Sequence, residues 1–321
     1  MHSDLPTEAD AFDPASVPPA TRAVTEQLER EGAGAPALSA ATIAERRAPS
    51  RDAGPLRSER RYEGAVERDI AGPGGALRLR LLAPDEARAA YLHVHGGGWA
   101  FGTPDSQDQT LVRLATAARV AVVTIGYRLA PEHPHPAAVE DCVAAIRWLA
   151  ANAESELGAT RVVVAGESAG AHLAACALLV LRDQGELAPV VATNLAYGVY
   201  DVSMTPSARL WGERRLVLNS PDLAFLARQY APVEHHRDPC VSPLYHDLTG
   251  MPPALFSCGT LDPLLDDTLF MAARWRAAGN ESQLALYPGA PHEFLNLRHS
   301  ISAEDDARER MTRFVDGVLA G

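Results

Sequence analysis

The chain has 321 residues, of which 47% are hydrophobic and 22% are charged, and its formal net charge is -12 at pH 7. This composition is typical of a globular protein that buries a large core, and it excludes a disordered or fibrous chain. Because nucleic acids and anionic membranes repel an acidic surface, we expect neither as a partner and predict a small-molecule substrate.

The first residues and the cysteines bear on cellular location. The opening stretch MHSDLPTEADAFDPAS lacks the basic start and apolar core of a signal peptide. We find no apolar run of the roughly 18 residues that a membrane span needs. The cysteines show no CxxC spacing and stand in apolar stretches, so we expect buried thiols without a disulfide or zinc at Cys142, Cys176, Cys240 and Cys258. The sequence therefore predicts a cytoplasmic protein.

Two units are predicted along the chain. Residues 1–55 are rich in Ala, Pro, Arg and Glu, and ATRAVTEQLEREG within them has helical spacing. In residues 56–321, short β-branched runs alternate with amphipathic stretches, which are predicted to be helices near 137–153, 169–184, 265–279 and 303–319. Eight runs are predicted to be strands: RYEGAVERDI, ALRLRLL, AAYLHVH, VAVVTIGY, RVVVAG, VVATNLAY, PALFSCG and SQLALYPG. This alternation predicts an α/β fold with a mainly parallel sheet and helices on both faces.

The stretch HVHGGGWAFG, residues 93–102, places three glycines directly after a predicted strand. Glycine is unfavourable inside regular elements, so three together indicate a sharp turn or a backbone that a ligand must approach. His93 and His95 form a His-x-His pattern that also occurs in metal sites, but the DH sequence expected downstream is missing and glycines follow. We therefore predict no metal and a structural role for His95, which would hold the glycine loop in shape.

A candidate nucleophile lies in VVVAGESAGAHLA, where Gly166 and Gly170 flank Ser168 between an apolar strand and an alanine-rich helix. Attack on a carbonyl needs an exposed serine on a tight strand-to-helix turn, and flanking glycines leave room for such a turn. The oxyanion that forms needs hydrogen-bond donors already in position. We predict that these donors are the backbone N–H groups of Gly97, Gly98 and Ala169.

The alternation of strands and helices breaks at about residues 201–240, which are predicted to be a helical insertion. Its apolar residues Trp211, Leu216, Phe225 and Leu226 look exposed, which favours a folded lid over the site. An ordinary surface excursion is the alternative.

A serine nucleophile needs a histidine base and a carboxylate that orients it, and in this architecture the acid precedes the histidine. Asp262 and His292 each follow a predicted strand. Strand ends on one sheet edge lie close together, so both side chains are expected to converge on Ser168.

Three other carboxylates lie near these candidates. Asp266 and Asp267 stand in the following helix, where we expect them to be solvated or to cap the helix. Glu293 neighbours His292 and is expected to point elsewhere; if it lies close enough, it raises the pKa of the histidine.

Five ordered motifs, HGGGWAFG, YRLAPEHPHPAAVEDC, GESAGAHLA, DPLLDD and PHEF, together resemble the hormone-sensitive-lipase-like esterases of the α/β-hydrolase superfamily from about residue 60 to the C-terminus. The resemblance implies an eight-stranded sheet, a helical cap built from the N-terminal segment and an insertion, and a triad of Ser168, Asp262 and His292. Two positions depart from the usual pattern. Glu167 replaces a frequent Asp or Thr, and Glu293 replaces a common glycine.

The predicted activity is that of a serine carboxylesterase that forms an acyl-enzyme and needs no cofactor. Trp99, Phe101, Trp211 and Phe225 are predicted to bind substrate and to favour short to medium acyl chains, about four to eight carbons by resemblance to the family. An amidase, deacetylase or acyltransferase would use the same triad. The gibberellin receptor shows that this fold also supports binding without catalysis, but it lacks the catalytic histidine. Family members often dimerise, so a homodimer is expected by analogy.

Overall fold

The computed structural model describes residues 10–47, 61–82, 87–297 and 301–320. Its strands are β1 (Val66–Gly72), β2 (Gly75–Leu82), β3 (Ala90–Val94), β4 (Ala121–Gly126), β5 (Val162–Glu167), β6 (Val190–Ala196), β7 (Ala254–Leu261) and β8 (Ser282–Pro291). They form one eight-stranded sheet in the order β1-β2-β4-β3-β5-β6-β7-β8. β2 is antiparallel to both of its neighbours, β1 and β4, and the pairs from β4 to β8 are parallel. The prediction of a mainly parallel eight-stranded sheet is confirmed.

The α-helices of the described residues are α1 (Pro19–Gly32), α2 (Ala40–Arg47), α3 (Asp108–Ala118), α4 (Ala137–Leu157), α5 (Ala169–Asp183), α6 (Pro206–Leu210), α7 (Ser220–Tyr230), α8 (Leu265–Ala277) and α9 (Ser302–Ala320). The four predicted helices correspond to α4, α5, α8 and α9, and the helical spacing near the N-terminus corresponds to α1. Helix α3 was not predicted. In the part of the chain that the structure describes, no helix is long and apolar enough to cross a bilayer.

The sheet separates two apolar cores. Side chains of β3 and β5 alternate between them, so that Leu92 and Val164 face α4, α5 and α8 while Tyr91 and Val163 face α3 and α9. Strands covered on both faces are continuously apolar, which explains why these runs show little polar alternation. The carboxyl ends of the parallel strands β3 to β8 lie together at one edge of this sheet.

The segment between β6 and β7 contains α6, α7 and two short 3-10 helices. Leu216 and Leu226 are buried, so the expectation that they are exposed was wrong: the insertion packs its apolar side chains against the rest of the protein. The N-terminal segment contacts it through an ion pair between Glu29 and Arg214, with 2.9 Å between oxygen and nitrogen. The predicted boundary between residues 55 and 56 lies outside the described residues.

The insertion is anchored at its base by Asp267, which we expected to be solvated or to cap a helix. Its carboxylate is fully buried and accepts hydrogen bonds from the N–H groups of Tyr200 and Asp201 and from the hydroxyl of Thr205. Those N–H groups are buried in the segment after β6 and need an acceptor, which explains why Asp267 is buried and not solvated. Burial raises the pKa of Asp267 to about 7. Its neighbour Asp266 does cap a helix, since it accepts from Ser207 N at the start of α6.

The cysteines differ from expectation at one position. Cys142, Cys176 and Cys258 are buried free thiols, but Cys240 is exposed. Cys240 lies in an exposed turn after the polar residues Arg237 and Asp238. We predicted its burial from the apolar stretch that follows it.

A buried ion pair joins β2 to α3, and it yields a stability prediction. Arg80 and Asp108 are almost fully buried and lie 3.0 Å apart from Nε to Oδ1. Asp108→Ala leaves the buried guanidinium of Arg80 hydrogen-bonded to Glu67 but without its buried acidic partner, so we expect a loss of about 3 kcal/mol in the free energy of unfolding. Denaturant titration followed by circular dichroism measures it.

The matched control is Asp69→Ala, which breaks the exposed pair with Arg78 on neighbouring strands. Water screens that pair, so the denaturant concentration at the midpoint of unfolding should hardly change. Equal losses in the two variants would contradict the prediction.

Candidate active site

The predicted nucleophile lies on a sharp turn between β5 and α5. Ser168 has φ +52° and ψ -124°, a backbone conformation that residues other than glycine rarely adopt. Both neighbouring glycines are required by close packing: a Cβ on Gly166 would lie 2.4 Å from the carbonyl oxygen of Gly170, and a Cβ on Gly170 would lie 2.0 Å from that of Val94. The start of α5 therefore packs closely against the end of β3.

The three predicted triad residues come together in one chain of hydrogen bonds. His292, directly after β8, has its Nδ1 2.8 Å from Asp262 Oδ2 and its Nε2 2.9 Å from Ser168 Oγ. Asp262 follows β7, and its other oxygen accepts from Leu264 N at 2.8 Å. An ionised carboxylate only accepts, so Nδ1 carries the proton and Nε2 is free to accept the serine proton. All three side chains are buried.

The charges around His292 favour its protonated form. Burial alone disfavours the imidazolium and lowers the pKa of His292. The charge and hydrogen bond of Asp262 raise this pKa, and the charges of Glu293 and Glu167 raise it further. The net result is a pKa of His292 above the ordinary value of 6.5. The histidine is therefore a stronger base than a free imidazole, and Glu293 contributes in the direction that the sequence suggested.

The glycine loop lies against the nucleophile, since a Cβ on Gly96 would be 3.3 Å from that of Ser168. Gly97 and Gly98 have φ angles of +108° and +57°, which only glycine adopts readily. Ala100 N and Phe101 N donate to the carbonyl oxygen of Gly97 and close the loop as a turn. Among the described residues, none accepts a hydrogen bond from the N–H groups predicted to bind the oxyanion, those of Gly97, Gly98 and Ala169.

The two histidines before the glycines are buried. His95 donates from Nδ1 to the carbonyl oxygen of Gly96 at 2.8 Å and stacks on Tyr127 with ring centres 4.2 Å apart, so its side chain supports the loop. Burial lowers the pKa of His95 to about 4 and that of His93 to about 3, which keeps both neutral. Within the residues that the structure describes, no group of three or more His, Cys, Asp or Glu side chains is arranged to hold a metal ion.

The four predicted substrate-binding residues occupy different environments. The ring of Trp99 is buried, stacks on Tyr230 at 4.5 Å and donates from Nε1 to His172, and its contact with substrate stays a prediction. Trp211 donates to the carbonyl oxygen of Arg214 within its own turn. Phe101 and Phe225 are partly buried against the core that contains Trp99, and their contact with substrate stays a prediction.

Two residues near the site were not predicted. Leu226 of α7 lies over the glycine loop, since a Cβ on Gly98 would be 2.5 Å from its Cδ1. Glu167 precedes the nucleophile, and its buried carboxyl group accepts hydrogen bonds from three other segments of the chain. The position of Glu167 next to Ser168 could have indicated a role at the site. Its hydrogen-bond partners could not be predicted, because they are distant in sequence.

Comparison with known proteins places this geometry in a family context. A family model described as the alpha/beta hydrolase fold matches residues 91–296. The chain is 37% identical over 242 residues to ethyl acetate hydrolase from Pseudomonas putida, covering 73% of this chain and 76% of that protein. It is 33% identical over 253 residues to acetyl esterase from Salmonella schwarzengrund, covering 76% and 77%.

Solved structures agree with these relatives. A hormone-sensitive lipase from a metagenome library superposes with a TM-score of 0.79 at 28% identity, covering 92% of this chain and 98% of that one. A hyperthermophilic esterase from the archaeon Pyrobaculum calidifontis superposes with a TM-score of 0.76 at 29% identity, covering 94% and 92%.

The raised pKa of His292 leads to a pH prediction for ester hydrolysis. Only the neutral imidazole accepts the serine proton, so kcat/KM should rise with pH through a midpoint above 6.5. Glu293→Gln removes a charge that favours the imidazolium and should move this midpoint to lower pH. The exposed carboxylate Glu281 provides the control, since Glu281→Gln should leave it in place. A wild-type midpoint at or below 6.5 would contradict the assignment.

Proposed function

This chain belongs to the α/β hydrolases, among the hormone-sensitive-lipase-like esterases, and we propose that it is a serine carboxylesterase acting on short- to medium-chain acyl esters. The observation that carries the proposal is the pair of hydrogen bonds that links Asp262, His292 and Ser168. Neither a receptor nor a structural protein needs a serine aligned with a buried histidine. The partner that follows is a small-molecule ester.

Acylation is the first half of the proposed reaction. His292 Nε2 takes the proton of Ser168 Oγ as the oxygen attacks the acyl carbonyl. The developing oxyanion accepts hydrogen bonds from the N–H groups of Gly97, Gly98 and Ala169, of which each is worth about 2.7–4 kcal/mol of transition-state stabilisation. The protonated histidine then gives its proton to the alcohol as the ester bond breaks.

Deacylation repeats these steps with water. His292 accepts a proton from the water that attacks the acyl-enzyme, and returning that proton to Ser168 releases the acid. Asp262 holds the imidazole with Nδ1 protonated and stabilises its positive charge in both halves. No proton passes to the aspartate.

We also propose that residues 1–55 and the insertion at about 201–240 form a cap that limits the acyl chain. Three observations support it. Ser168 and His292 are 4% and 1% exposed, so little of either residue is open to solvent. Leu226 covers the glycine loop beside Phe225. Two relatives are named for acetyl esters, which carry a small acyl group.

Location and assembly are further parts of the proposal. Three buried free cysteines support a cytoplasmic protein, since a reducing compartment keeps thiols unpaired. A homodimer rests on the family resemblance, and light scattering on the purified protein tests it.

The triad assignment predicts that Ser168→Ala and His292→Ala each lower kcat for p-nitrophenyl acetate by about 10⁴-fold or more. The double variant should lose no more than either single one, because the residues act as a unit. Ser155→Ala, which removes an exposed hydroxyl from α4, is the control. Near-normal ester turnover by folded His292→Ala would contradict the mechanism. Faster hydrolysis of the matching anilide than of the ester would favour an amidase.

The cap assignment predicts the chain-length profile. On p-nitrophenyl esters, kcat/KM should peak at about four to eight acyl carbons. Leu226→Ala should raise the ratio of long-chain to short-chain kcat/KM by about tenfold, since space for added methylenes is worth 1–3 kcal/mol. Leu149→Ala removes the same buried side chain from α4, in the same apolar core, and should leave the ratio unchanged. A maximum at sixteen carbons, or activation by emulsified triglyceride, would indicate a lipase instead.

A further inference from the structure

Glu167 departs from the usual family pattern, and the reaction described above gives it no role. Its side chain is 5% exposed, so its carboxyl group needs hydrogen-bond donors from the protein. Three are present. Gln107 Nε2 donates to Oε1, while the Tyr197 hydroxyl and Asn296 Nδ2 donate to Oε2 at 2.9 and 2.6 Å.

The three donors stand on different segments that meet at the reacting groups. Gln107 precedes α3 and follows the glycine loop, and a Cβ on Gly96 of that loop would lie 3.3 Å from Glu167 Oε1. Asn296 ends the 3-10 helix Phe294–Asn296 that begins just after His292. Tyr197 follows β6, and its ring lies 5.0 Å from the His292 ring. One carboxyl group therefore contacts the nucleophile turn, the glycine-loop side and the histidine segment.

Three non-glycine residues around this carboxyl group have a left-handed backbone. The φ angles are +52° at Ser168, +36° at Tyr197 and +59° at Glu293. Such conformations are unfavourable and persist only where surrounding contacts hold them. The hydrogen bonds of Glu167 connect all three strained segments, since Asn296 N also donates to the carbonyl oxygen of Glu293 at 2.9 Å.

We propose that Glu167 is a positioning residue that fixes Ser168 and His292 relative to each other by accepting hydrogen bonds from the segments around them. This role rests on the proposed triad. It also answers why the position holds a carboxyl group: two oxygens accept from three donors, which no single hydroxyl or apolar side chain can do.

The charge of Glu167 has a second effect at the same site. Burial and the nearby charge of Glu293 raise its pKa to about 7, so the carboxyl group titrates near neutral pH. When ionised, it favours the imidazolium of His292. The other titratable or charged side chains that face it or line the cavity behind it are Tyr91, His93, Tyr127, Tyr197 and Arg308. Burial keeps the tyrosines and His93 neutral, so Glu167 and Glu293 are the carboxylates besides Asp262 that act on His292.

Glu167→Leu and Glu167→Gln separate the hydrogen bonds from the charge. Leucine removes the acceptor shared by Gln107, Tyr197 and Asn296. We therefore expect kcat for p-nitrophenyl acetate to fall by about 10²-fold, with KM changed less than about twofold, because only the alignment of reacting groups is lost. Glutamine can accept from Tyr197 and Asn296 and donate to a rotated Gln107 amide. It should keep kcat within about threefold, while the acid midpoint of kcat/KM moves to lower pH.

Asp267→Asn is the matched control, since Asp267 is also a buried carboxylate with three donors, but these belong to the base of the insertion. It should leave the acid midpoint in place. If Glu167→Leu does not fold, Asn296→Leu tests the same bond from the histidine segment and should lower kcat about tenfold at constant KM.

Wild-type kcat in folded Glu167→Leu, or a loss confined to KM, would overturn the positioning role. An acid midpoint in Glu167→Gln equal to that of wild type would overturn the electrostatic effect. His292→Ala is assayed in parallel. If it is inactive while Glu167→Leu has the kcat of wild type, the proposed role of Glu167 is wrong and the triad assignment stands. An active His292→Ala would contradict the triad itself.

Discussion

The close contact between the start of α5 and the end of β3 determines how the remaining parts of the site are arranged. Gly170 lies against the carbonyl oxygen of Val94, and this contact leaves no room for a side chain. The glycine loop, which continues from β3, lies beside the serine, since a Cβ on Gly96 would be 3.3 Å from the Cβ of Ser168. A bulkier residue at either glycine would separate the nucleophile from its predicted oxyanion donors.

The insertion between β6 and β7 and the glycine loop share one aromatic cluster. Trp99, at the tip of the loop, stacks on Tyr230 at the end of α7 and donates to His172 of α5. His172 Nε2 in turn donates to the carbonyl oxygen of Val241, where the chain returns from the insertion. Burial lowers the pKa of His172 to about 3, so it stays neutral and can accept at Nδ1 while donating at Nε2. The insertion is therefore linked by hydrogen bonds and ring contacts to the loop that contains Gly97 and Gly98, two of the predicted oxyanion donors.

Short-range patterns predicted the strands, four of the main helices and the residues that form the Ser168, His292 and Asp262 chain, because each depends on local hydrophobic order and on a short motif after a strand. Errors arose where a side chain's surroundings come from distant segments. Leu226 was expected to be exposed, but it is buried over Gly98 of the glycine loop, which is far away in sequence. Asp267 was expected to be solvated or to cap a helix, but its carboxylate is buried against the N–H groups of Tyr200 and Asp201 in the segment after β6.

The carboxylates around His292 differ in what they contribute. Asp262 both orients the imidazole and stabilises its charge, since it is hydrogen-bonded to Nδ1. Neither Glu293 nor Glu167 is bonded to the ring, so both raise the pKa of His292 through their charge. A higher pKa makes the histidine a stronger base but leaves less of it neutral at a given pH, so added negative charge brings a limited gain. Burial limits it further: it raises the pKa of Glu167 to about 7, so this carboxylate loses its charge as the pH falls towards the range in which His292 itself becomes protonated.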